Sequence, residues 1–341
     1  MQKIAIVGLG FMGTMHAQVY AQLRNAALVA VVDNQKPKTK RELAKLKIDV
    51  PVFASLSELL SGCEVDVVDI CLPTDLHASF ALKAISAGKH VFCEKPLALT
   101  RSDGRKIAAA AKKAGVFLQV GQCIRFWPEY QALEAFVKSR KAGKLLSLSL
   151  QRRAGRPTYS VGDWLNNPSR SGGSALDLHV HDTDFVHHLL GKPEAVSSIG
   201  TKDKTGWSHI FTMYHFKNVA VTAEGGWNYP TKWGFQMAFQ AVFERGAVEF
   251  DSGSNPTLSV TMLDGTKQPM PYQQTDAGES STGAGNVSSL GGYYNELATF
   301  ISCLERKRAP KIATGDHAAE SLATTLAEIQ SASTGRTVKL S

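Results

Sequence analysis

Three glycines near the start of the chain constrain its fold more than any other feature. Gly8, Gly10 and Gly13 follow the apolar run KIAIV directly and open an amphipathic stretch, MGTMHAQVYAQL. In such a strand-turn-helix unit the first glycine permits the tight turn, the second lets the backbone approach a pyrophosphate, and the third lets the helix pack closely on the strand. The spacing predicts a dinucleotide site at this turn, with the phosphates at the helix N-terminus and with Phe11 and Met12 beside them.

An acidic residue closes the second apolar run, ALVAVV. This residue is Asp33, 23 positions after Gly10. A carboxylate there accepts hydrogen bonds from the ribose hydroxyls and repels a 2′-phosphate, which favours NAD. Lys36, Lys38 and Arg41 follow closely enough for one of them to tolerate that phosphate, so NADP stays an alternative.

Short apolar runs and helical patterns alternate through the first third of the chain. The runs KIAIVG, ALVAVVD, VDVVDICL, KHVFCE and VFLQVG are almost continuously apolar, as strands covered on both faces are. The helical stretches LHASFALKAISAG and RSDGRKIAAAAKKAG end at Gly88 and Gly115, which suit helix C-caps. We predict an α/β fold in which residues 1–124 form a Rossmann domain with a doubly wound parallel sheet.

Longer strand patterns separated by turns dominate the second part of the chain. They predict an α+β domain over residues 125–341 with a large, mainly antiparallel, open-faced sheet. Two helical patterns, from Tyr293 to about Arg306 and from Asp316 to about Thr334, close the chain, and we expect them to pack back on the Rossmann domain. The Gly- and Ser-rich segment 273–292 predicts a mobile loop.

Composition excludes several classes of function. The 341 residues are 43% hydrophobic with a net charge of +8, but the basic residues are dispersed, which argues against nucleic-acid binding. The five cysteines form no C-x-x-C pair, as expected of a reduced compartment. No apolar run approaches the ~18 residues of a membrane span, and only Met1 and Gln2 precede the first predicted strand. We therefore expect a soluble, cytoplasmic protein without a membrane partner.

The stretch HVFCEKPLAL places two charges and a proline at the end of a predicted buried strand. Glu94 and Lys95 there are open to two interpretations. By itself such a stretch is typical of a solvated loop. However, ligands of open α/β sheets bind at the carboxyl ends of the strands, which is where Glu94 and Lys95 fall.

Three stretches of the chain together resemble one enzyme family. The glycine motif, CLPTDLHASFALKAISAGKHVFCEKPLAL and SGGSALDLHVHDTDFVHHLLG are similar to the glucose-fructose oxidoreductase, inositol dehydrogenase and MocA family. The resemblance implies an NAD(P)-dependent enzyme that transfers hydride to or from a secondary alcohol of a sugar, cyclitol or related polyol. It extends into the closing helices but not to the middle strands.

The resemblance also implies residue roles. Lys95 is implied to be catalytic and to contact substrate, Glu94 to orient the cofactor, and the peptide bond before Pro96 to be cis. Asp177 and His181 are four residues apart and would share a face if one helix carried both. By resemblance His181 is the acid-base residue and Asp177 binds a neighbouring substrate hydroxyl. Histidines on a helix surface are the alternative interpretation.

Weaker candidates come from the same resemblance. Pro73, Thr74 and His77 match a cofactor-binding loop, although His77 could instead cap its helix. Arg125 and Trp164 match positions that line the substrate cleft, although packing between domains would explain them equally. His179 stands where a glycine is frequent, and we predict that it contacts substrate.

Two alternatives to the simple dehydrogenase remain, and a metal site must be considered. Histidines and carboxylates at positions 179, 181, 184 and 188 suit a metal ion, but nicotinamide chemistry needs none and we predict none. An enzyme that cleaves a glycoside through transient oxidation is one alternative function, and a nucleotide-sensing regulator without catalysis is another.

Because HIFTMYHF and FQMAFQAVF are predicted one-sided strands with apolar outer residues, we expect a homodimer or homotetramer.

Overall fold

The computed structural model describes residues 1–275, 277–278 and 290–340, which form two compact units. The first unit comprises Met1–Cys123, Tyr159–Gly162 and Thr275–Glu320, and the second comprises Ile124–Thr158, Asp163–Gln274 and Ser321–Ser341. The greater part of the segment predicted as a mobile loop, residues 276 and 279–289, lies outside the described residues. Within the described ranges no helix has the length and apolarity needed to cross a bilayer.

A six-stranded parallel sheet forms the centre of the first unit. Its strands run in the order β3-β2-β1-β4-β5-β6. They are β1 (Gln2–Val7), β2 (Ala26–Val32), β3 (Val52–Phe53), β4 (Val67–Ile70), β5 (His90–Cys93) and β6 (Leu118–Val120). Every residue of β4 is buried, as expected for a strand covered on both faces. The predicted doubly wound Rossmann sheet is confirmed.

Five helices connect these strands. They are α1 (Phe11–Tyr20), α2 (Lys36–Lys45), α3 (Leu56–Gly62), α4 (Thr74–Ser86) and α5 (Arg101–Ala114). Gly88 and Gly115 take left-handed backbone angles directly after α4 and at the end of α5, as predicted. At the other end of α5 the hydroxyl of Thr100 accepts a hydrogen bond from the Asp103 amide, which caps the helix.

The second unit is built on a nine-stranded mixed sheet. The strand order is β14-β13-β12-β11-β7-β10-β9-β8-β15. Its strands are β7 (Leu145–Gly155), β8 (Ala195–Asp203), β9 (Gly206–His215), β10 (Ala220–Tyr229), β11 (Phe235–Phe243), β12 (Gly246–Asp251), β13 (Leu258–Met262), β14 (Lys267–Pro269) and β15 (Val338–Lys339). β7 and β10 pair in parallel and the remaining neighbours pair antiparallel, so the predicted mainly antiparallel sheet is confirmed.

One face of this sheet is covered by helices and the other is open. The α-helices of the unit are α6 (Pro128–Ser139), α7 (Pro168–Ser171), α8 (Ser174–Asp177), α9 (Val180–Leu190) and, from Ser321 onward, the greater part of α11 (Gly315–Thr334). Tyr130 of α6 packs edge-on against Phe185 of α9, at 4.8 Å between ring centroids, and against Phe239 of β11 at 5.1 Å. On the open face Phe211 and Met213 of β9 are 46% and 53% exposed. The sheet is therefore one-sided.

Two helices follow in the last part of the chain, α10 (Gly291–Glu305) and α11 (Gly315–Thr334). Leu297, Phe300 and Ile301 of α10 share a hydrophobic cluster with Met15 and Val19 of α1. The α10 helix thus completes the core of the first unit, although it lies far along the chain from the other elements of that core.

Candidate active site

The glycine loop between β1 and α1 has the geometry of a phosphate cradle. Gly8 has φ +91°, and a Cβ on it would lie 2.7 Å from the carbonyl oxygen of Cys71. A Cβ on Gly13 would lie 2.0 Å from the carbonyl oxygen of Gly8. At Gly10, by contrast, no atom of the described chain lies within 4 Å of the Cβ position. The open space is therefore at the glycine that a pyrophosphate approaches, and the residues fit a dinucleotide.

The first residues of α1 lie next to this cradle. Gly10 is the N-cap of α1 and has no side chain to satisfy the first amides of the helix. These amides are the groups that bind an anion at a helix N-terminus. Phe11 and Met12 form the start of the helix and are half-buried, and the ring of Phe11 lies 5.2 Å from that of Tyr159. Their contact with the cofactor stays a prediction.

Asp33 has a second task besides the predicted contact with ribose. Its Oδ2 accepts a hydrogen bond from the amide of Leu9 at 3.0 Å, and its Oδ1 accepts one from the amide of Gln35 at 2.7 Å. The carboxylate therefore ties the glycine loop to the end of β2. Each oxygen keeps a further lone pair with which to accept a ribose hydroxyl.

The loop after β4 is joined to the Glu-Lys-Pro turn by a buried histidine. Pro73 precedes α4 as its N-cap and Thr74 is its buried first residue. His77 lies with Nε2 2.7 Å from the carbonyl oxygen of Leu72 and Nδ1 2.8 Å from that of Pro96. Both contacts can be hydrogen bonds only in the imidazolium, whereas burial lowers the pKa of His77. His77 thus connects two loops, and its direct contact with a cofactor stays a prediction.

The Glu-Lys-Pro turn follows β5 at the same edge of the sheet as the glycine loop. The peptide bond between Lys95 and Pro96 is cis, as the resemblance implies. Glu94 is buried and Lys95 is half-buried. Oε2 of Glu94 accepts a hydrogen bond from the backbone amide of Lys95 at 3.2 Å. The turn is therefore an ordered part of the first unit and not a solvated loop.

In the second unit Asp177 and His181 lie on two helices and not on one. α8 ends at Asp177 and α9 begins at Val180, with His181 as its second residue. The assumption of one continuous helix was wrong, because the chain makes a turn at Leu178 and His179. Asp177 is buried and His181 is half-buried. Their predicted roles at the substrate stay predictions.

The buried side of α9 is held by two ion pairs. Arg125 makes two hydrogen bonds to Asp184, with Nε 2.6 Å from Oδ2 and with Nη2 2.7 Å from Oδ1. Arg152 donates to Asp182 in the same two-pronged way, at 2.9 and 3.0 Å. The predicted contact of Arg125 with substrate is not tested, but the buried pair with Asp184 favours a structural role.

His179 is an interior residue. Its side chain has no solvent exposure, and Nε2 lies 3.0 Å from Oε2 of Glu328. A Cβ on Gly225 would lie 2.7 Å from Nδ1 of His179, so the ring also fills the space beside that glycine. These contacts favour a structural role over the predicted substrate contact. Trp164 is partly buried against Ala154, Leu165 and Trp227, and its contact with substrate stays a prediction.

Sequence reasoning missed a buried polar cluster in the first unit. His16, Asp69 and Glu296 lie in the interior together with Glu94. The sequence carried one signal for this cluster, a polar residue at a position where helical periodicity predicts burial. His16 precedes the apolar Val19 and Tyr20 by three and four positions and therefore shares their face of the helix. Glu296 likewise adjoins Leu297 and precedes Phe300 by four positions.

A parallel sheet with a glycine loop after β1 and an acidic residue after β2 defines a dinucleotide-binding Rossmann fold. Residues 2–122 match the oxidoreductase family profile described as the NAD-binding Rossmann fold, and residues 135–340 match the C-terminal alpha/beta domain of the same family. The chain belongs to the glucose-fructose oxidoreductase, inositol dehydrogenase and MocA family. The predicted family and the predicted NAD cofactor are confirmed.

Similar proteins include several that are named for sugars or cyclitols. The chain is 33% identical over 201 residues to 2,7-anhydro-N-acetylneuraminate hydratase of Escherichia coli, covering 59% of this chain and 53% of that protein. It is 31% identical over 190 residues to myo-inositol 2-dehydrogenase of Thermotoga maritima, covering 56% and 55%. It is 28% identical over 293 residues to 1,5-anhydro-D-fructose reductase of Ensifer adhaerens, covering 84% and 83%.

The first two of these alignments span about half the length of the relative. A solved structure supports the fold over almost the whole chain. An oxidoreductase from Agrobacterium radiobacter, in complex with NAD+, L-tartaric acid and magnesium, superimposes with a TM-score of 0.86 at 19% identity and covers 99% of this chain and 98% of that one.

Proposed function

We propose that the protein transfers hydride between NAD and a secondary alcohol or ketone of a sugar, cyclitol or related polyol. The observation that carries the proposal is the common location of the glycine loop and Lys95. Both follow strands of one parallel sheet at their carboxyl ends, β1 and β5, which is where such sheets bind ligands. NADP is the alternative cofactor.

The proposed roles follow from the chemistry of each group. NAD supplies a nicotinamide ring that accepts or returns the hydride. The amides at the start of α1 hold the pyrophosphate, and Asp33 holds the ribose. Lys95 donates a hydrogen bond to the reacting oxygen and stabilises its alkoxide character. His181 takes the hydroxyl proton during oxidation and returns it during reduction. Asp177 accepts a hydrogen bond from a neighbouring hydroxyl of the same substrate.

The names of the relatives support a cyclic, polyhydroxylated substrate. One relative is named for myo-inositol and another for 1,5-anhydro-D-fructose, and both names describe redox chemistry. Because neither identity exceeds 31%, the substrate itself is left to experiment.

A substrate panel with NAD tests this proposal. Inositols, aldoses and glycosides are incubated with the protein, and NADH absorbance identifies those that are oxidised. On a confirmed substrate Lys95→Ala and His181→Ala should each lower kcat by about a hundredfold or more while the Kd for NAD hardly changes. Asp177→Ala should also raise KM, because it removes a ground-state contact.

Lys112→Ala, at an exposed position of α5, is the matched control and should leave kcat unchanged. If Lys95→Ala keeps the turnover of the unaltered protein, the proposed catalytic role of Lys95 is wrong. If no alcohol in the panel is oxidised, transient oxidation becomes the favoured reaction.

The relative named as a hydratase of an anhydro sugar supports that second candidate. In this reaction hydride moves from the substrate to NAD, and the C–H beside the new ketone becomes acidic. Elimination then releases an alcohol and leaves a carbon–carbon double bond, water adds to that double bond, and the hydride is returned to the ketone. Product would form without net NADH. Chromatography of the sugar, together with NADH absorbance, separates the two reactions.

A further inference from the structure

Three carboxyl groups surround one imidazole inside the first unit. They belong to Asp69 of β4, to Glu94 after β5 and to Glu296 of α10, and the imidazole is that of His16 of α1. The side chains of His16 and Asp69 have no solvent exposure and that of Glu94 is 6% exposed. The candidate ligand atoms of His16, Glu94 and Glu296 all lie within 4.8 Å of one another. The further polar or titratable groups that face this cluster are those of Tyr20, Cys71, Gln119 and Tyr293.

Hydrogen bonds define one side of the cluster. Oδ2 of Asp69 accepts from the hydroxyl of Tyr20 at 2.9 Å and lies 2.8 Å from Nδ1 of His16, so Nδ1 carries a proton. Nε2 of His16 lies 3.2 Å from Oε1 of Glu94. Neither of these two atoms, nor either carboxyl oxygen of Glu296, has an aligned hydrogen-bond partner among the described residues. Without further protons, acceptors would therefore face acceptors.

Such an arrangement requires protons or a cation. Three ionised carboxylates around a neutral imidazole would carry three negative charges in an interior of low dielectric. Burial, and next the carboxylate of Glu94, raise the pKa of Glu296 well above its usual value. Burial opposes charge on His16, but Asp69 raises the pKa of His16 well above its usual value. One proton on Nε2 of His16 and one on Glu296 would place two donors beside the carboxyl group of Glu94.

We propose that His16 and Glu296 are positioning residues for Lys95, because they hold protons against the carboxylate of Glu94, which in turn accepts the backbone amide of Lys95. The inference rests on the proposed catalytic role of Lys95. Gly121 adds a steric limit: a Cβ there would lie 2.8 Å from Oε1 of Glu94, so the carboxylate lies directly against the backbone of Gly121, which follows β6. The carboxylate is thus held from several directions, and the turn that carries Lys95 is held with it.

A divalent cation is the competing occupant. Nε2 of His16 and the two glutamates would be its ligands, and Asp69 would hold the other ring nitrogen, as carboxylates do for metal-bound histidine. The net charge of the cluster does not distinguish the two occupants. It is −1 with the two added protons and with Asp69 and Glu94 ionised, and it is also −1 with a divalent ion and all three carboxylates ionised. We favour protons because the ligand atoms have essentially no solvent access, so that a metal would lack an entry path.

Replacing Glu296 separates these occupants. Glu296→Gln keeps an uncharged hydrogen-bond donor, whereas Glu296→Leu removes the donor at similar volume. Relative to the unaltered protein, Glu296→Leu should lower kcat on a confirmed substrate by about tenfold to a hundredfold, with the Kd for NAD within about threefold. Glu296→Gln should restore most of that loss. Ile301→Ala, a buried change on the same helix, should lower Tm without the loss of kcat.

Two readouts do not depend on turnover. In ¹⁵N-histidine spectra both ring nitrogens of His16 should be protonated from pH 6 to 8, with the signals identified by their loss in His16→Gln. The backbone amide of Lys95 should exchange with solvent at least about ten times faster in Glu296→Leu than in the unaltered protein or in Ile301→Ala.

Several results would overturn the inference. If Glu296→Gln lowers kcat as much as Glu296→Leu does, and the purified protein contains about one equivalent of zinc or a similar metal, the occupant of the cluster is a divalent cation. Unchanged kcat and unchanged Lys95 amide exchange in Glu296→Leu would remove the positioning role. If Lys95→Ala itself retains full turnover, the proposed catalytic role of Lys95 fails, and the positioning role fails with it. A loss of turnover in Lys95→Ala beside an unaffected Glu296→Leu refutes only this inference.

Discussion

Adding one methyl group at Gly13 should disable the glycine loop. A Cβ at this position would lie 2.0 Å from the carbonyl oxygen of Gly8, whereas carbon–oxygen contacts are ordinarily about 3.3 Å or longer. The two groups must therefore separate by roughly 1.3 Å. Gly8 has little freedom to move, because its amide donates to the carbonyl oxygen of Val32 at 2.8 Å and its other side faces the carbonyl of Cys71.

The expected size of the effect comes from two opposing contributions. Gly13 lies inside α1, where alanine is preferred over glycine by about 1 kcal/mol, so without the clash the substitution would stabilise the protein. Overpacking in a rigid site costs about 1–3 kcal/mol, and more where backbone must move. We expect a net loss of about 2 kcal/mol or more, which lowers Tm by roughly 4–8 °C in a unit of this size. One displaced amide-to-phosphate hydrogen bond, at about 1.5–3 kcal/mol, should weaken NAD binding by roughly tenfold to a hundredfold.

Gly10→Ala is the matched control, because no described atom lies within 4 Å of its Cβ position. It should lower Tm by no more than about 4 °C, from a poorer N-cap. It should nevertheless weaken NAD binding, because the methyl group occupies the space that the pyrophosphate needs. Scanning fluorimetry measures Tm and calorimetric titration measures the Kd for NAD. Gly13→Ala with the Tm and Kd of the unaltered protein would refute the steric reasoning.

Four further changes test other parts of the molecule. Combining Lys95→Ala with His181→Ala should lower kcat by less than the product of the single losses, because both groups are proposed to act on one oxygen and its proton; a multiplicative loss in steady-state assays would contradict this. Asp33→Ala should weaken NAD binding, narrow the preference for NAD over NADP and lower Tm, since two backbone amides lose their acceptor; tighter binding of NADP by the unaltered protein would count against the ribose role. Phe211→Glu should reduce the mass seen by light scattering, and a monomeric unaltered protein would end the oligomer prediction. Burial and a neighbouring carboxylate raise the pKa of Glu296 in the folded chain above its value of about 4.3 in the unfolded chain. Between these two pKa values the folded chain binds one proton more than the unfolded chain, so the free energy of unfolding falls as pH rises. Glu296→Gln should therefore flatten the fall of Tm between pH 5 and 8.

Local patterns predicted the fold well where each element is specified by its own residues. The last four residues of β1 are apolar and buried because that part of the strand is covered on both faces, and the glycines after it fit only one kind of turn. The predicted helix from Tyr293 begins two residues earlier, at Gly291, and ends at Glu305. The strands β3, β14 and β15 were not predicted, because two or three residues at a sheet edge carry too little pattern.

The buried polar contacts were beyond prediction for a different reason. His16 and Asp69 are 53 positions apart and meet only because α1 packs beside β4. Glu296 reaches the same cluster from α10. Arg125 and Asp184, 59 positions apart, meet through the tertiary fold of the second unit. A sequence shows that such residues are polar at apolar spacings, but their partners are set by packing that no local pattern encodes.

Both units hold a proposed functional side chain next to a buried, charged residue. Lys95 follows Glu94, whose carboxylate lies against Gly121 and His16. His181 precedes Asp182, whose carboxylate receives two hydrogen bonds from Arg152. Buried ion pairs contribute little net stability compared with apolar packing, but removing one partner costs about 3–5 kcal/mol, because the other charge is left uncompensated. A shift of the backbone that breaks such a contact is costly for the same reason, so the contact restrains the backbone of the neighbouring residue. Fixing the neighbour in this way fixes the direction in which Lys95 or His181 leaves the backbone.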